Sequence, residues 1–165
     1  MEQITLHQSQ NTDVETIANL RAIVLRDDLT RLGRFNEEKV RQRFRDAFDP
    51  VHTWIIKAGS SFIGCVAFKP ILDGYLLEHF YIHPNYQGKG IGSQVLDYLL
   101  KQDYVIGKRV TLNVLQESSA QSLYKRFGFK VDSEDPIDIY MSVVAEFKTN
   151  QSTTSLSEVD GSVVE

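Results

Sequence analysis

A glycine-rich turn between a strand and a helix constrains this chain more than any other feature. Residues 75–82 are mostly apolar and are typical of a strand. Three glycines follow between 88 and 92, and residues 91–100 then carry apolar side chains at helical spacing. Glycines let a backbone approach an anion closely, and the free N–H groups at a helix start point toward it. The segment therefore predicts a cradle for a phosphate-bearing ligand.

The spacing of the glycines narrows the kind of phosphate site. A P-loop needs four residues between its first glycine and Gly-Lys-Ser/Thr, and no stretch of the chain has that spacing. The dinucleotide pattern Gly-x-Gly-x-x-Gly also fails, because these glycines are evenly spaced. What remains is Gln-x-x-Gly-x-Gly, formed by Gln87, Gly90 and Gly92. On this feature alone, a tight connection without a ligand stays open as the alternative.

Helices and strands alternate along the rest of the chain and predict one α/β domain over 1–147. A length of 165 residues suits a single domain with its own core. In chain order we predict strand 3–7, helices 13–27 and 37–48, hairpin 52–69, strand 75–82, helix 91–100, strand 109–115, helix 118–127 and strands 129–131 and 137–144. Residues 148–165 are polar and lack aromatic side chains, which predicts a disordered, dispensable tail.

Charge and cysteine content exclude several classes of function. The net charge of −4 makes a nucleic acid a poor expected partner. No apolar run approaches the roughly 20 residues of a membrane span, and residues 1–10 do not resemble a secretory signal, so we expect no membrane association. A lone cysteine, Cys65, forms no internal disulfide and suits a reducing cytoplasm. No His, Asp and Glu residues have metal-ligand spacing, so no metal is expected.

Two sequence blocks resemble the GNAT superfamily of N-acetyltransferases. Residues 77–92 resemble its core motif, an apolar strand ending in an Ile-x-Pro turn followed by Gln-x-x-Gly-x-Gly. The second block has Asn113 at a strand end, Ala120 and Tyr124 on the next helix, and Phe-Gly-Phe at 127–129. The resemblance is sharp over 76–130 and follows the element order over 3–145.

The resemblance implies a fold and an activity. The fold is α/β (α+β), a mixed and mostly antiparallel sheet of about seven strands, splayed between strands 4 and 5 and flanked by about four helices. Acetyl-CoA, the cosubstrate, would lie in the splayed region. An amine of a small molecule or peptide would attack its thioester directly in a ternary complex.

The resemblance also implies roles for particular residues. The cofactor would be held by Phe80, Ile82, Gln87, Gly88, Lys89, Gly90, Gly92, Ser93 and Asn113. Tyr124 matches the tyrosine that protonates the departing thiolate. Glu78 is the candidate base, although many members carry their glutamate two residues earlier, where this chain has Leu76. Regular alternation puts Glu78 on the face of Phe80 and Ile82, with His79 opposite.

Several alternatives stay open at the level of sequence. The transferred group is an acetyl or another acyl group, and the chain is an enzyme, a CoA-binding regulatory module without turnover, or an interaction domain. The connection at 27–35 mixes Asp27 and Asp28 with Arg31 and Arg34, so its sign does not identify the acceptor amine. Either a monomer or a homodimer is compatible with the sequence.

Overall fold

An eight-stranded mixed sheet organises the computed structural model, which describes residues 2–146 and 156–159. The strands are β1 (Ile4–Gln8), β2 (Thr53–Ala58), β3 (Ser61–Ile71), β4 (Gly74–Ile82), β5 (Arg109–Leu115), β6 (Lys130–Glu134), β7 (Asp138–Val144) and β8 (Ser157–Val159). The helices are α1 (Val14–Arg31), α2 (Glu37–Ala47), α3 (Ile91–Leu100) and α4 (Ala120–Arg126). The strand order across the sheet is β6-β7-β5-β4-β3-β2-β1-β8.

Local sequence signals explain the start of α2 and the end of α1. The side chain of Asn36 accepts a hydrogen bond from the Lys39 amide and caps α2. Helix α1 is longer than predicted and runs to Arg31, whose guanidinium pairs with Asp28 one turn earlier at 2.7 Å. The helix then stops before Gly33, which has a φ of +72°.

Helices cover both faces of the sheet and create two apolar cores. On one face α3 and α4 pack on the sheet, with Phe68, Leu77 and Leu96 fully buried. On the other face α1 and α2 pack on it, with Ile17 and Phe44 fully buried. Burying side chains of this size supplies the main favourable term for folding. Among the described residues, no helix is long and apolar enough to cross a membrane.

Strands β4 and β5 are parallel neighbours that separate soon after they meet. Their pairing covers three residues of each strand, Gly74–Leu76 against 109–111. A side chain at Gly74 would place its Cβ 1.9 Å from the Arg109 carbonyl oxygen, so the close approach requires glycine. The remaining strand pairs are antiparallel, except β1 with β8. The predicted mixed sheet, splayed between strands 4 and 5 and flanked by four helices, is confirmed.

The C-terminal segment differs from the expected disordered tail. Leu156 is only 6% exposed and belongs to the core beneath α3 and α4. The next three residues form β8, which pairs in parallel with the outer edge of β1. An apolar anchor and a free strand edge give this short segment a place on the sheet. The other tail residues, 148–155 and 160–165, lie outside the described residues.

We predict that Leu156→Ala destabilises the fold. Removing a buried leucine side chain leaves a cavity and costs about 2–5 kcal/mol. Leu72→Ala is the matched control, because Leu72 is 98% exposed and its truncation should change stability by less than about 0.5 kcal/mol. Urea unfolding of both variants measures the difference. Equal stabilities would show that the segment contributes nothing to the core.

Candidate active site

A cleft of about 1060 Å³ opens where β4 and β5 separate. Residues 77–82 line it from β4 and residues 112–115 from β5. The start of α3 and most of α4 form one side, and α1 and α2 form the other. Pairing with β5 ends at Leu76, so backbone groups of β4 beyond it border the cleft and are open to a ligand.

The turn at 87–92 has the geometry of an anion cradle. The Gln87 side chain donates from Nε2 to the Ile82 carbonyl oxygen at 2.8 Å and ties the turn to the end of β4. Gly88 and Gly90 have φ values of +75° and +80°, and a Cβ on either would meet nothing within 4 Å. Gly90 precedes α3 without a capping side chain, so the first amides of α3 are open to an anion. The turn therefore fits a phosphate group.

Arg126 adds a positive charge to the same end of the cleft. Its Nη2 donates to Ser93 Oγ at 3.3 Å, and both residues line the cleft. The sequence analysis did not single out Arg126. In the sequence, only its position in the last turn of α4 could have indicated a role for Arg126. The packing of α4 against α3 brings its guanidinium to Ser93. Gly92 permits that packing, because a Cβ there would lie 3.2 Å from Leu123 Cδ2.

A bulge interrupts the alternation of side chains in β4. Cys65 pairs with Tyr81 and Ala67 with Glu78, so three steps along β4 oppose two along β3. His79 takes up the extra residue with a φ of +48°. The Cys65 thiol donates to the His79 carbonyl oxygen at 3.1 Å and helps to hold this conformation.

The bulge corrects the predicted faces of β4. Phe80 and Ile82 pack on the core beneath α3 and α4. Glu78 lies instead on the α1 and α2 side, where its carboxylate is 3.3 Å from Lys69 Nζ. His79 lies on this side too, with its ring perpendicular to that of Phe44 and 5.0 Å between the ring centroids. The prediction that Glu78 shares a face with Phe80 and Ile82 is wrong, because regular alternation does not hold across a bulge.

A chain of polar contacts links Glu78 to α1. Glu78 Oε1 is 3.9 Å from His79 Nε2, and His79 Nδ1 is 3.1 Å from the Tyr81 hydroxyl. Arg21 donates from Nε to the same hydroxyl at 2.9 Å. The phenol hydrogen of Tyr81 is therefore available to His79 Nδ1. In neutral His79 the ring proton then sits on Nε2, the nitrogen that faces Glu78.

Burial sets the protonation of the titratable groups around the cleft. It lowers the pKa of His79 well below the usual range, helped by the positive charges of Arg21, Lys69 and Arg43 and opposed by Glu78. Burial also raises the pKa of Tyr81 to about 12 and raises that of Tyr124. At neutral pH the imidazole is therefore uncharged, and both phenols keep their protons.

Comparison with known proteins identifies the family to which this cleft belongs. The sequence profile of the Acetyltransferase (GNAT) domain matches residues 49–131, just over half of the chain. The chain belongs to the GNAT family. Its fold also resembles the crystal structure of the PaiA N-acetyltransferase from Thermoplasma acidophilum in complex with coenzyme A. The TM-score is 0.66 at 22% identity, over 84% of this chain and 97% of that one.

Curated relatives match the GNAT core over a shorter length. The L-methionine sulfoximine/L-methionine sulfone acetyltransferase of Salmonella typhimurium is 35% identical over 65 residues, 38% of each chain. The spermine/spermidine N(1)-acetyltransferase of Bacillus subtilis is 36% identical over 61 residues, 35% of this chain and 40% of that enzyme. The match thus spans about two fifths of each relative.

All but one of the predicted GNAT site residues line the cleft. The exception is Lys89, an exposed residue whose ammonium lies 6.0 Å from the Tyr86 ring centroid. Asn113 donates from Nδ2 to Asp138 at 3.0 Å, so β5 and β7 together orient it. Tyr124 is 7% exposed and packs edge-on against Phe129 at 5.7 Å between centroids. Its ring is a core element, and the side chain still reaches the cleft.

The lowered pKa of His79 predicts a loss of stability in acid. Unfolded histidine has a pKa near 6.5 and binds a proton more readily than His79 does in the fold. Acidification below pH 6.5 therefore favours the unfolded state, by about 1–2 kcal/mol at pH 5. His79→Asn, which tolerates a positive φ, should reduce this pH dependence. Urea unfolding at pH 7 and pH 5 measures it, and identical pH dependence in both proteins would contradict the assignment.

Proposed function

We propose that this protein is an N-acetyltransferase that moves an acetyl group from acetyl-CoA to an amine. The observation that carries the proposal is the anion turn at 87–92, placed at the mouth of a cleft that also holds Glu78 and Tyr124. Membership of the GNAT family supports it. The relatives act on different amines, one on amino-acid analogues and one on polyamines, so they do not select an acceptor.

In this proposal the cofactor side of the cleft holds acetyl-CoA. The amides of the 87–92 turn bind its pyrophosphate, and Ser93 with Arg126 adds a hydroxyl and a positive charge. Open backbone groups at Phe80 and Ile82 accompany the pantetheine arm, with Asn113 on the opposite strand. A buried, single cysteine suits the proposed cytoplasmic location.

The other side of the cleft supplies the acceptor and removes its proton. The amine loses a proton to the Glu78 carboxylate, directly or through water, and its nitrogen then attacks the thioester carbon. A backbone N–H at Phe80 or Tyr81, beside the bulge, stabilises the oxyanion. When the intermediate collapses, the C–S bond breaks and the Tyr124 phenol donates its proton to the leaving thiolate. The second proton of the nitrogen returns through water to the Tyr124 phenolate. The products are the amide, CoA and the proton held by Glu78.

Gly90→Val tests the cofactor site. We expect at least about a tenfold loss of CoA affinity, because a β-branched residue narrows the approach to the turn and disfavours a positive φ. Gly33→Val is the matched control, since Gly33 has a φ of +72°, equally open surroundings and no place in the cleft lining. Its strain, about 1–2 kcal/mol, should leave CoA affinity within about twofold. Calorimetry showing that wild type binds no CoA would remove the proposal.

Glu78→Gln tests the base. Turnover should fall most at neutral pH and recover in part at high pH, where more of the amine is already deprotonated. CoA affinity should stay close to that of wild type. Steady-state thiol release across pH measures the profile. An unaltered profile would assign proton removal to water or to the ionisation of the amine itself.

Tyr124→Phe tests the acid. The substitution keeps the ring and its contact with Phe129, so stability should fall by no more than about 1 kcal/mol. The kcat should fall by at least about tenfold, a cautious lower bound on the rate increase that a general acid supplies. Acetyl-CoA affinity should stay within a few-fold. Thiol release and calorimetry on one preparation check this, and full activity would leave Tyr124 with a packing role alone.

A further inference from the structure

Helix α2 divides its positive charges between two faces. Arg41 and Arg45 lie one turn apart on one face, and their guanidinium groups bind Glu37, Glu38 and Glu15. Lys39 and Arg43 also lie one turn apart, and both line the cleft. The two pairs are alike in sequence spacing and charge, and only the first has acidic partners.

The cleft-facing pair is available to a ligand. The side chains of Lys39 and Arg43 are exposed and make no hydrogen bond or ion pair with any residue in the described ranges 2–146 and 156–159. Glu78, the proposed base, lines the same cleft. A group bound to these cations would therefore share the cleft with the proposed base.

Two acidic groups on this side of the cleft are paired with cations. Asp28 pairs with Arg31 at 2.7 Å, and Glu78 pairs with Lys69 at 3.3 Å. Arg21 donates to uncharged oxygens, the hydroxyl of Tyr81 and the backbone carbonyl of Val40, so its positive charge is not neutralised by these contacts. The third acid of the lining, Asp138, accepts from the uncharged Asn113. Among the described residues, five arginine and lysine side chains and three acids line the cleft. The cleft thus carries excess positive charge, which repels a polycationic amine and attracts an anionic one.

A contact at the end of α1 limits the size of the acceptor. Arg31 donates from Nη2 to the Gln116 backbone oxygen, in the turn that follows β5. This bond joins α1 to the opposite wall of the cleft. Asp28, one turn before Arg31, and Leu115, next to Gln116, both line the cavity. A bridge of this kind leaves less room for an extended peptide than for a small molecule.

We propose that the acceptor is a small amine that also bears a carboxylate, and that Lys39 and Arg43 bind this carboxylate. This proposal rests on the proposed acetyltransferase function. The planar guanidinium of Arg43 suits a carboxylate, and Lys39 adds a second charge-assisted donor one helical turn away. The bound carboxylate holds the amine beside Glu78, where it loses its proton and attacks the thioester.

The test compares matched amines and matched variants. The amines are L-alanine, L-leucine and L-glutamine, their carboxamides, spermidine and a tripeptide that begins with aspartate and ends in an amide. The variants are Lys39→Gln/Arg43→Gln and the control Arg41→Gln/Arg45→Gln, which removes the same charge from the other face of α2. The readouts are kcat/KM for each amine and calorimetric affinity for acetyl-CoA.

We expect wild type to acetylate at least one free amino acid with a higher kcat/KM than spermidine and the tripeptide. The Lys39→Gln/Arg43→Gln variant should lower kcat/KM for that amino acid about tenfold more than for its carboxamide. In the control variant, the ratio of kcat/KM for the amino acid to kcat/KM for its carboxamide should stay within about twofold of the wild-type ratio. The ratio is the decisive quantity, because the carboxamide also differs in the pKa of its amine. Added salt should lower the preference, since both cations are exposed.

Three outcomes would overturn the inference and leave the acetyltransferase standing: preference for spermidine, preference for the tripeptide, or equal losses for amino acid and carboxamide. Failure of the acetyltransferase proposal gives a different result. In that case no amine is acetylated, or acetyl-CoA does not bind, and both proposals fall together.

Discussion

The separation of β4 from β5 is the constraint on which the rest of this structure depends. Three paired residues hold the strands together at one end, where Gly74 lets the backbones approach. Beyond Leu76, β4 keeps its hydrogen bonds to β3 and presents its other edge to the cleft. An open strand edge inside a protein needs a polar partner. The fold therefore creates a binding site for an extended polar molecule by leaving one strand pair incomplete.

The bulge at His79 lets one strand present side chains to both sides of the cleft. Without the extra residue, Glu78 would share a face with Phe80 and Ile82, and the proposed base would point toward the cofactor side. With it, Glu78 and His79 point toward α1 and α2, while Phe80 and Ile82 stay beneath α3 and α4. The cost is a non-glycine residue at positive φ, which the Cys65 thiol and the Tyr81 hydroxyl help to hold.

In the two proposals, two different anions have separate places in the cleft. One place is the glycine turn with Arg126, built mainly from backbone dipoles, and it suits phosphates. The other is the α2 face with Lys39 and Arg43, built from flexible side chains beside the proposed base. Two of the acids that line the cleft are paired with cations, Asp28 with Arg31 and Glu78 with Lys69, which weakens their opposition to either site.

Patterns that depend on neighbours in the sequence were sufficient for much of the fold and for the cofactor side of the site. The glycine turn, the Asn36 cap and the run from Tyr124 to Phe129 are local, because each depends on backbone angles or helical spacing within a few residues. They predicted the element order. The family resemblance that they carry implied the splayed sheet and a set of site residues of which only Lys89 lies outside the cleft lining.

Tertiary structure alone decided the features that depend on long-range packing. The bulge adds one residue relative to β3, and a period of two in the sequence of β4 does not show it. Arg126 meets Ser93 only because α4 packs on α3. A single leucine in a polar tail does not signal that Leu156 enters the core. Lys39 and Arg41 are both cations on α2, and their sequence positions do not distinguish their surroundings. The way α2 lies on the sheet turns Lys39 to the cleft and Arg41 to acidic partners. Local patterns determine backbone conformation, whereas the surroundings of a side chain depend on segments far away along the chain.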